Sequence, residues 1–284
     1  MSGQMKLKEN RDKAGLVGGE EQAVGVGREE LAGELVDRVG RGRGGLAEGL
    51  VDLRLLEWAD RFRFVTADRA ARHLGVSERA ARGRCSLLVR AGLLRSISRG
   101  AGTRAVLYPS HTTTRLLGSA QRTPPRPGPE IRHELAVIDT VHVLDGSEHE
   151  LAVLTERECR RRQAAGDGQF GVPLPQSTSG RARERWPDLV LTREGARPLA
   201  VEIELTDKHT PRLTSIMEGY LYGDYQVLWL AGQPSLIRRL DRKADELAAE
   251  SYSRDRDHIH IVQWTRDPAR LRATVLAVPP WGVV

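Results

Sequence analysis

The strongest constraint on this chain is the run Pro124-Pro125-Arg126-Pro127-Gly128-Pro129, four prolines in six residues. Proline has no backbone N–H to donate and pushes the residue before it toward extended conformations. No helix and no inner strand can pass through such a run. It reads as a stiff extended linker, and it predicts separate folded parts on either side. With 284 residues, the chain can supply two domains of roughly 100–200 residues each. Residues 1–49 hold 12 of the 29 glycines, mixed with charges. They read as a mostly disordered arm in which only Arg28 to Arg38 suits a short helix, with Leu31, Leu35 and Val36 on one side. The expected organisation is therefore an arm over 1–49, a first domain over 50–120, a linker over 121–130 and a second domain over 131–284. A polar stretch at 163–184, too long for an ordinary connection, reads as a disordered insertion or a functional loop.

Three function classes drop out early. No stretch approaches the ~18–20 apolar residues that span a bilayer. The first residues carry charges without an apolar run, unlike a secretory leader. Cys85 and Cys159 lie too far apart for metal or redox spacing. The expectation is a reduced, cytoplasmic protein with no membrane partner.

Charge is unevenly placed. Between Val51 and Ser110 there are twelve Arg, no Lys and five acids, a local excess of +7 against +6 for the whole chain. A clustered basic field is the footprint of a polyanion binder. The same segment predicts a helix through Leu53, Leu55, Leu56, Trp58 and Phe62. A second helix follows, capped by Thr66 with Ala70, Ala71 and Leu74 inward, then a turn at Gly75, and a third helix capped by Ser77. Helix, short glycine turn, helix is the helix-turn-helix signature. On the third helix Ala81, Cys85 and Leu88 form the core side, while Arg79, Arg82 and Ser86 face elsewhere. That is what a major-groove recognition helix requires. Gly83 and Ser86 are small enough to let it approach DNA closely, and Arg84 and Arg90 suit phosphates or solvent. Two alternating runs flank Gly100-Ala101-Gly102-Thr103 and predict a β-hairpin with Arg99 and Arg104 at its tip, a wing for backbone contacts. The DNA-contacting set is thus Arg79, Arg82, Arg84, Ser86, Arg99 and Arg104. Use of the same domain for protein contacts or dimerisation, with a second copy as partner, is the other reading.

Beyond the prolines, helix at Ile131 to Leu144 and strands near 150–154, 186–191 and 199–205 are expected. A helix from Thr210, a strand at 225–230, a helix at 234–249 and a strand at 258–263 complete the order. It implies a mixed sheet with helices packed on it. Glu202 and Glu204, at i and i+2, share one face of their strand, and Asp188 opens the neighbouring one. Carboxylates converging from adjacent strands suit a hard cation such as Mg²⁺, which could activate water against a scissile phosphate. Lys208 lies close enough to offset charge there. A solvated outer face carrying ordinary glutamates is the other reading.

Two resemblances follow from these residues. Val65-Thr66-Ala67-Asp68 through Leu93-Leu94, the hairpin ending in Tyr108, Thr114-Arg115-Leu116-Leu117-Gly118, His133-Glu134-Leu135-Ala136-Val137-Ile138-Asp139, Pro187-Asp188 and Glu202-Ile203-Glu204-Leu205-Thr206-Asp207-Lys208 together resemble the replication-relaxation family. This implies a DNA-binding protein of a bacterial plasmid, phage or conjugative element, with a relaxase or replication protein as a further partner. Residues 131–263 also resemble the PD-(D/E)xK nuclease fold. That resemblance implies Asp188 and Glu202 as catalytic metal ligands, Glu134 as the helix-borne acid, and Lys208 in place of the motif's lysine, whose position holds Glu204. The expected fold class is α+β, a winged helix-turn-helix followed by a nuclease-like α/β domain. Three functions fit it: a non-enzymatic double-stranded-DNA-binding accessory, a Mg²⁺-dependent endonuclease or nickase, and a transcriptional regulator with a degenerate nuclease-like module.

Overall fold

The computed structural model describes residues 20–39, 45–97, 105–119, 129–145, 151–174, 183–206, 210–222, 226–250 and 256–278. They divide between two compact units, Met1–Arg54 and Leu55–Val284. The arm expected over 1–49 is corrected in part, because α1 (Glu20–Val39) and the start of α2 (Gly45–Arg61) are helical. Ala32 and Leu35 are fully buried, and Glu34 pairs with Arg38 one turn on at 2.7 Å. The glycines misled because one of them serves packing. A Cβ at Gly49 would lie 2.3 Å from the carbonyl oxygen of Ala32, so only glycine lets α2 approach α1 this closely. Residues 1–19 lie outside the described residues.

The second unit opens with the end of α2, where Leu55, Leu56, Trp58 and Ala59 are buried, and Phe62 just beyond it is buried too. Trp58 stacks on His73 with ring centroids 4.0 Å apart. α3 (Ala67–Leu74) ends on Gly75, whose φ of 68° is the left-handed conformation that releases the chain from the helix. Ser77 then caps α4 (Glu78–Arg90) by accepting the Ala80 N–H. As expected, Ala70, Ala71, Ala81, Cys85 and Leu88 are buried, although Leu74 is only half-buried and Val76 in the turn is exposed. β1 (Leu94–Ile97) and β2 (Val106–Pro109) pair antiparallel. Val65 adds a single antiparallel bridge to β2 by exchanging both backbone hydrogen bonds with Leu107. α5 (His111–Leu116) closes this part, with Thr113 Oγ1 donating to the Leu93 carbonyl. The hairpin tip with Arg99 and Arg104, and most of the proline linker, lie outside the described residues.

The remainder is an α+β layer structure. α6 (Pro129–Leu144), β3 (Ala152–Thr155), α7 (Glu156–Ala165), β4 (Val172–Leu174), β5 (Arg183–Arg185), β6 (Leu189–Thr192), β7 (Leu199–Glu204), α8 (Thr210–Tyr222), β8 (Gln226–Ala231), α9 (Pro234–Glu250), β9 (Ile259–Gln263) and α10 (Pro268–Leu276) follow in order. The sheet runs β3-β6-β7-β8-β9, with the first two pairings antiparallel and the last two parallel. The expected mixed sheet is therefore present. α8 and α9 cover the face carrying Ala200, Val227, Trp229 and Ala231, and α6 packs on β7. The stretch at 163–184 is corrected in part: it contains the end of α7 and a two-stranded sheet, β4 with β5. Val172 from this small sheet joins the α8–α9 core, so the stretch is anchored by apolar burial that its polar composition conceals.

The prolines separate segments that nonetheless pack together. Arg61 donates to the Val153 carbonyl at 2.6 Å and pairs with Glu158 and Asp145 at 3.1 and 3.2 Å. Arg63 pairs with Glu130 at 3.0 Å. Asp139 on α6 takes both Arg69, at 2.5 Å, and Arg72 from α3. Arg157 returns the exchange by donating to the Asp60 carbonyl. Residues 55–119 and 129–278 lie in one compact unit and meet across this charged seam.

Candidate functional site

Two places concentrate polar chemistry. The first is the outer side of α4. At 100° per residue, Arg79, Arg82, Ser86 and Arg90 fall within one narrow stripe, opposite the buried Ala81, Cys85 and Leu88. All four stripe residues are exposed. Arg79 to Arg90 extends about 16 Å at 1.5 Å rise per residue. Arg82 is held by Glu78 at 2.5 Å yet keeps 65% of its side chain exposed. Ser86 Oγ donates to the Arg82 carbonyl at 2.9 Å. Arg84 is half-buried and lies off the stripe. A cavity of about 520 Å³ separates α4 from the hairpin, with Arg82, Ser86 and Arg90 on one wall and Ser96 and Leu107 on the other. Sequence reasoning gave Arg90 no particular side. The spacing 79, 82, 86, 90 is the signal that places it with the stripe.

The basic excess is smaller on this surface than in the sequence. Four of the twelve arginines between Val51 and Ser110, namely Arg61, Arg63, Arg69 and Arg72, are committed to the seam.

The second place is the end of β6 and β7. Extending their register puts Asp188 directly opposite Glu202, on one face, as cross-strand partners must be. The solvated-face reading is overturned, because Glu202, Glu204 and Asp188 are 1%, 2% and 8% exposed. Asp188 Oδ1 lies 3.1 Å from His133 Nε2, and Oδ2 accepts the Ile203 N–H at 2.8 Å. Glu202 Oε1 accepts the Tyr220 hydroxyl at 2.6 Å. Arg185, at the end of β5, donates to both Glu202 oxygens, Nε at 3.4 Å and a terminal nitrogen at 2.8 Å. Lys208 lies outside the described residues.

Burial and charge set these groups apart. Burial works to raise the Asp188 carboxyl, but His133, Arg185 and the Ile203 N–H hold it below the usual range. Burial raises Glu202, and the charge of Asp188 adds to this against Arg185 and Tyr220. Tyr220 is pushed well up by burial and by the adjacent Glu202. Glu134, beside His133 on α6, is pushed up to about 7 by burial; His133 and Arg63 oppose this, while Asp188 and Glu156 reinforce it.

A hard divalent cation needs several open oxygen donors and a net negative cradle. Here both oxygens of Asp188 and both of Glu202 already have partners, and a guanidinium neutralises Glu202. Among the described residues no group of three or more His, Cys, Asp or Glu could hold a metal ion. The side chains as arranged do not fit Mg²⁺. Sequence reasoning missed Arg185 because it sought the cation beside Glu202 along β7. The residue stands three positions before Asp188, in Arg183-Glu184-Arg185-Trp186-Pro187-Asp188.

No family model matches the chain, and no curated protein matches it. Among the described residues no helix is long and apolar enough to cross a membrane.

Proposed function

We propose that this chain is a cytoplasmic double-stranded-DNA-binding protein of the replication-relaxation type, serving a bacterial plasmid, phage or conjugative element in replication, relaxation or transfer. In this reading the part of the expected 50–120 domain that lies in the second unit, residues 55–119, is a winged helix-turn-helix, and residues 129–278 are a nuclease-like domain that positions DNA or a relaxase-type partner without cutting. The observation that carries it is the α4 stripe. Three arginines and a serine line the outer side of a helix whose inner side is buried, beside a β-hairpin that Val65 bridges. An anchored helix can enter a major groove as a rigid probe, with its arginines reaching guanine edges or phosphates. What disfavours the metal-dependent endonuclease alternative is that Arg185 pairs with the carboxylate that would hold the ion.

The test is fluorescence anisotropy of the full chain on duplex DNA. Arg79→Ala and Arg82→Ala should each weaken binding by about 1–3 kcal/mol where the arginine reads a base, and by similar amounts on all duplexes where it contacts phosphate. Arg161→Ala, on the exposed side of α7, should change nothing. Equal affinity for all four proteins would remove α4 from the interface.

A further inference from the structure

Arg185 does more than balance a charge. It reaches Glu202 with two of its nitrogens, in the forked geometry that suits a carboxylate. Glu202 is 2% exposed at its side chain, and Arg185 is 19% exposed, so the pair is withdrawn from water along most of its length. Asp188, directly across the strand pair from Glu202, is meanwhile held by His133 and the Ile203 amide. The position between two opposed carboxylates is where a divalent cation would bind. Here its charge-neutralising role on Glu202 falls to the guanidinium.

We infer that Arg185 is the resident cation of this site, a guanidinium standing where the opposed carboxylates Asp188 and Glu202 would otherwise take a divalent metal ion, so that the folded chain excludes the metal. An ion entering would have to part a buried pair and leave Arg185 without its partner. Parting a pair of this kind lowers apparent affinity by about 100-fold or more. Glu204 at the usual lysine position is consistent with this, because the cation now comes from β5. The site is distinct from the α4 surface, so the inference stands or falls independently of DNA binding.

The experiment is calorimetric titration of Mn²⁺ into the full chain, wild type beside Arg185→Met, which keeps bulk and removes charge. Wild type should show no saturable binding at millimolar Mn²⁺. Arg185→Met should gain one site at least about 100-fold tighter, and Arg185→Met combined with Asp188→Asn should lose it. Arg185→Lys, which keeps the charge, should stay closed. Saturable binding to wild type that Asp188→Asn abolishes would overturn the inference, and this arm holds even if Arg185→Met does not fold. A folded Arg185→Met, verified by its circular dichroism melt, that still takes no Mn²⁺ would overturn it too.

Discussion

Gly83 lies in the middle of α4 on its exposed side, and a Cβ built there meets nothing within 4 Å. Its backbone is ordinary right-handed helix, so nothing inside the chain requires glycine. Glycine in a helix interior nonetheless costs about 0.5–1 kcal/mol relative to alanine, because it surrenders more backbone freedom on folding. Gly83→Ala should therefore stabilise the free protein by that amount. For a cooperative unit of this size the melting temperature should rise by about 1–4 °C. The residue sits beside the Arg79-Arg82-Ser86-Arg90 stripe, so a methyl group there would stand between α4 and a closely seated duplex. An added methyl in a tight contact costs about 1–3 kcal/mol, a loss of roughly 5- to 150-fold in DNA affinity. Thermal melts followed by circular dichroism give the first quantity and anisotropy titration the second. A stabilised variant that binds duplex as well as wild type would refute close seating of α4. A destabilised variant would show that Gly83 has an internal role and sink the whole argument.

Glu134 gives a pH test. Its folded carboxyl at about 7 lies above its ordinary 4.5, chiefly through burial. The folded state thus holds a proton that the unfolded state releases, and stability is lost as pH rises from about 4.5 to about 7. The ceiling is about 3 kcal/mol, reduced to about 1–2 because 21% of the side chain still reaches water. Glu134→Gln should match wild type in urea unfolding near pH 4.5 and exceed it by about 1–2 kcal/mol at pH 8; the same difference at both pH values would count against this. Asp139→Ala strips Arg69 and Arg72 of their shared partner and should lower the urea midpoint by an amount worth about 2 kcal/mol; an unchanged midpoint would show the seam to be energetically idle. Burial pushes the Cys159 thiol up to about 12, so peptide mapping after iodoacetamide treatment at pH 8 should find Cys159 unlabelled until denaturant is added. Rapid native labelling would contradict its burial.

The parts of this fold that were legible in the sequence are those whose signals are local. Gly75 between two short amphipathic segments marks a left-handed turn, and the i, i+4, i+7 spacing of Ala81, Cys85 and Leu88 places a core face. β6 and β7 are adjacent strands, and β7, β8 and β9 alternate with helices at ordinary spacing. Two missed helices also carried local signals: Thr155 and Glu158 form a capping box that opens α7, and Asp267-Pro268 opens α10. What local pattern cannot supply is partnership at distance. Arg61 and Glu158 are 97 residues apart, and Arg69 and Asp139 are 70. Arg185 and Glu202 meet only because β5 leads into β6 and β6 pairs with β7. The two carboxylates were readable as a converging pair, because a two-residue period fixes the face. The cation that answers them was not, because nothing in β7 points back to β5.

On the proposed DNA-binding reading, the seam also limits the ions that residues 51–110 can release from a duplex. A protein sheds condensed counterions from the duplex only for the phosphates its cations neutralise, and each contributes about −0.9 to the slope of log affinity against log salt. Counting every arginine from Val51 to Ser110 would allow a slope near −11 for twelve contacts. Arg61, Arg63, Arg69 and Arg72 discharge their fields into Asp139, Glu130, Glu158 and Asp145 before any polyanion arrives, and Arg54 lies in the first unit. Seven arginines remain from Arg79 to Arg104, which brings the limit to about −6. On that reading the segment is a milder polyelectrolyte toward DNA than its composition suggests, and it would exchange between duplex sites at salt concentrations where twelve contacts would hold it fast.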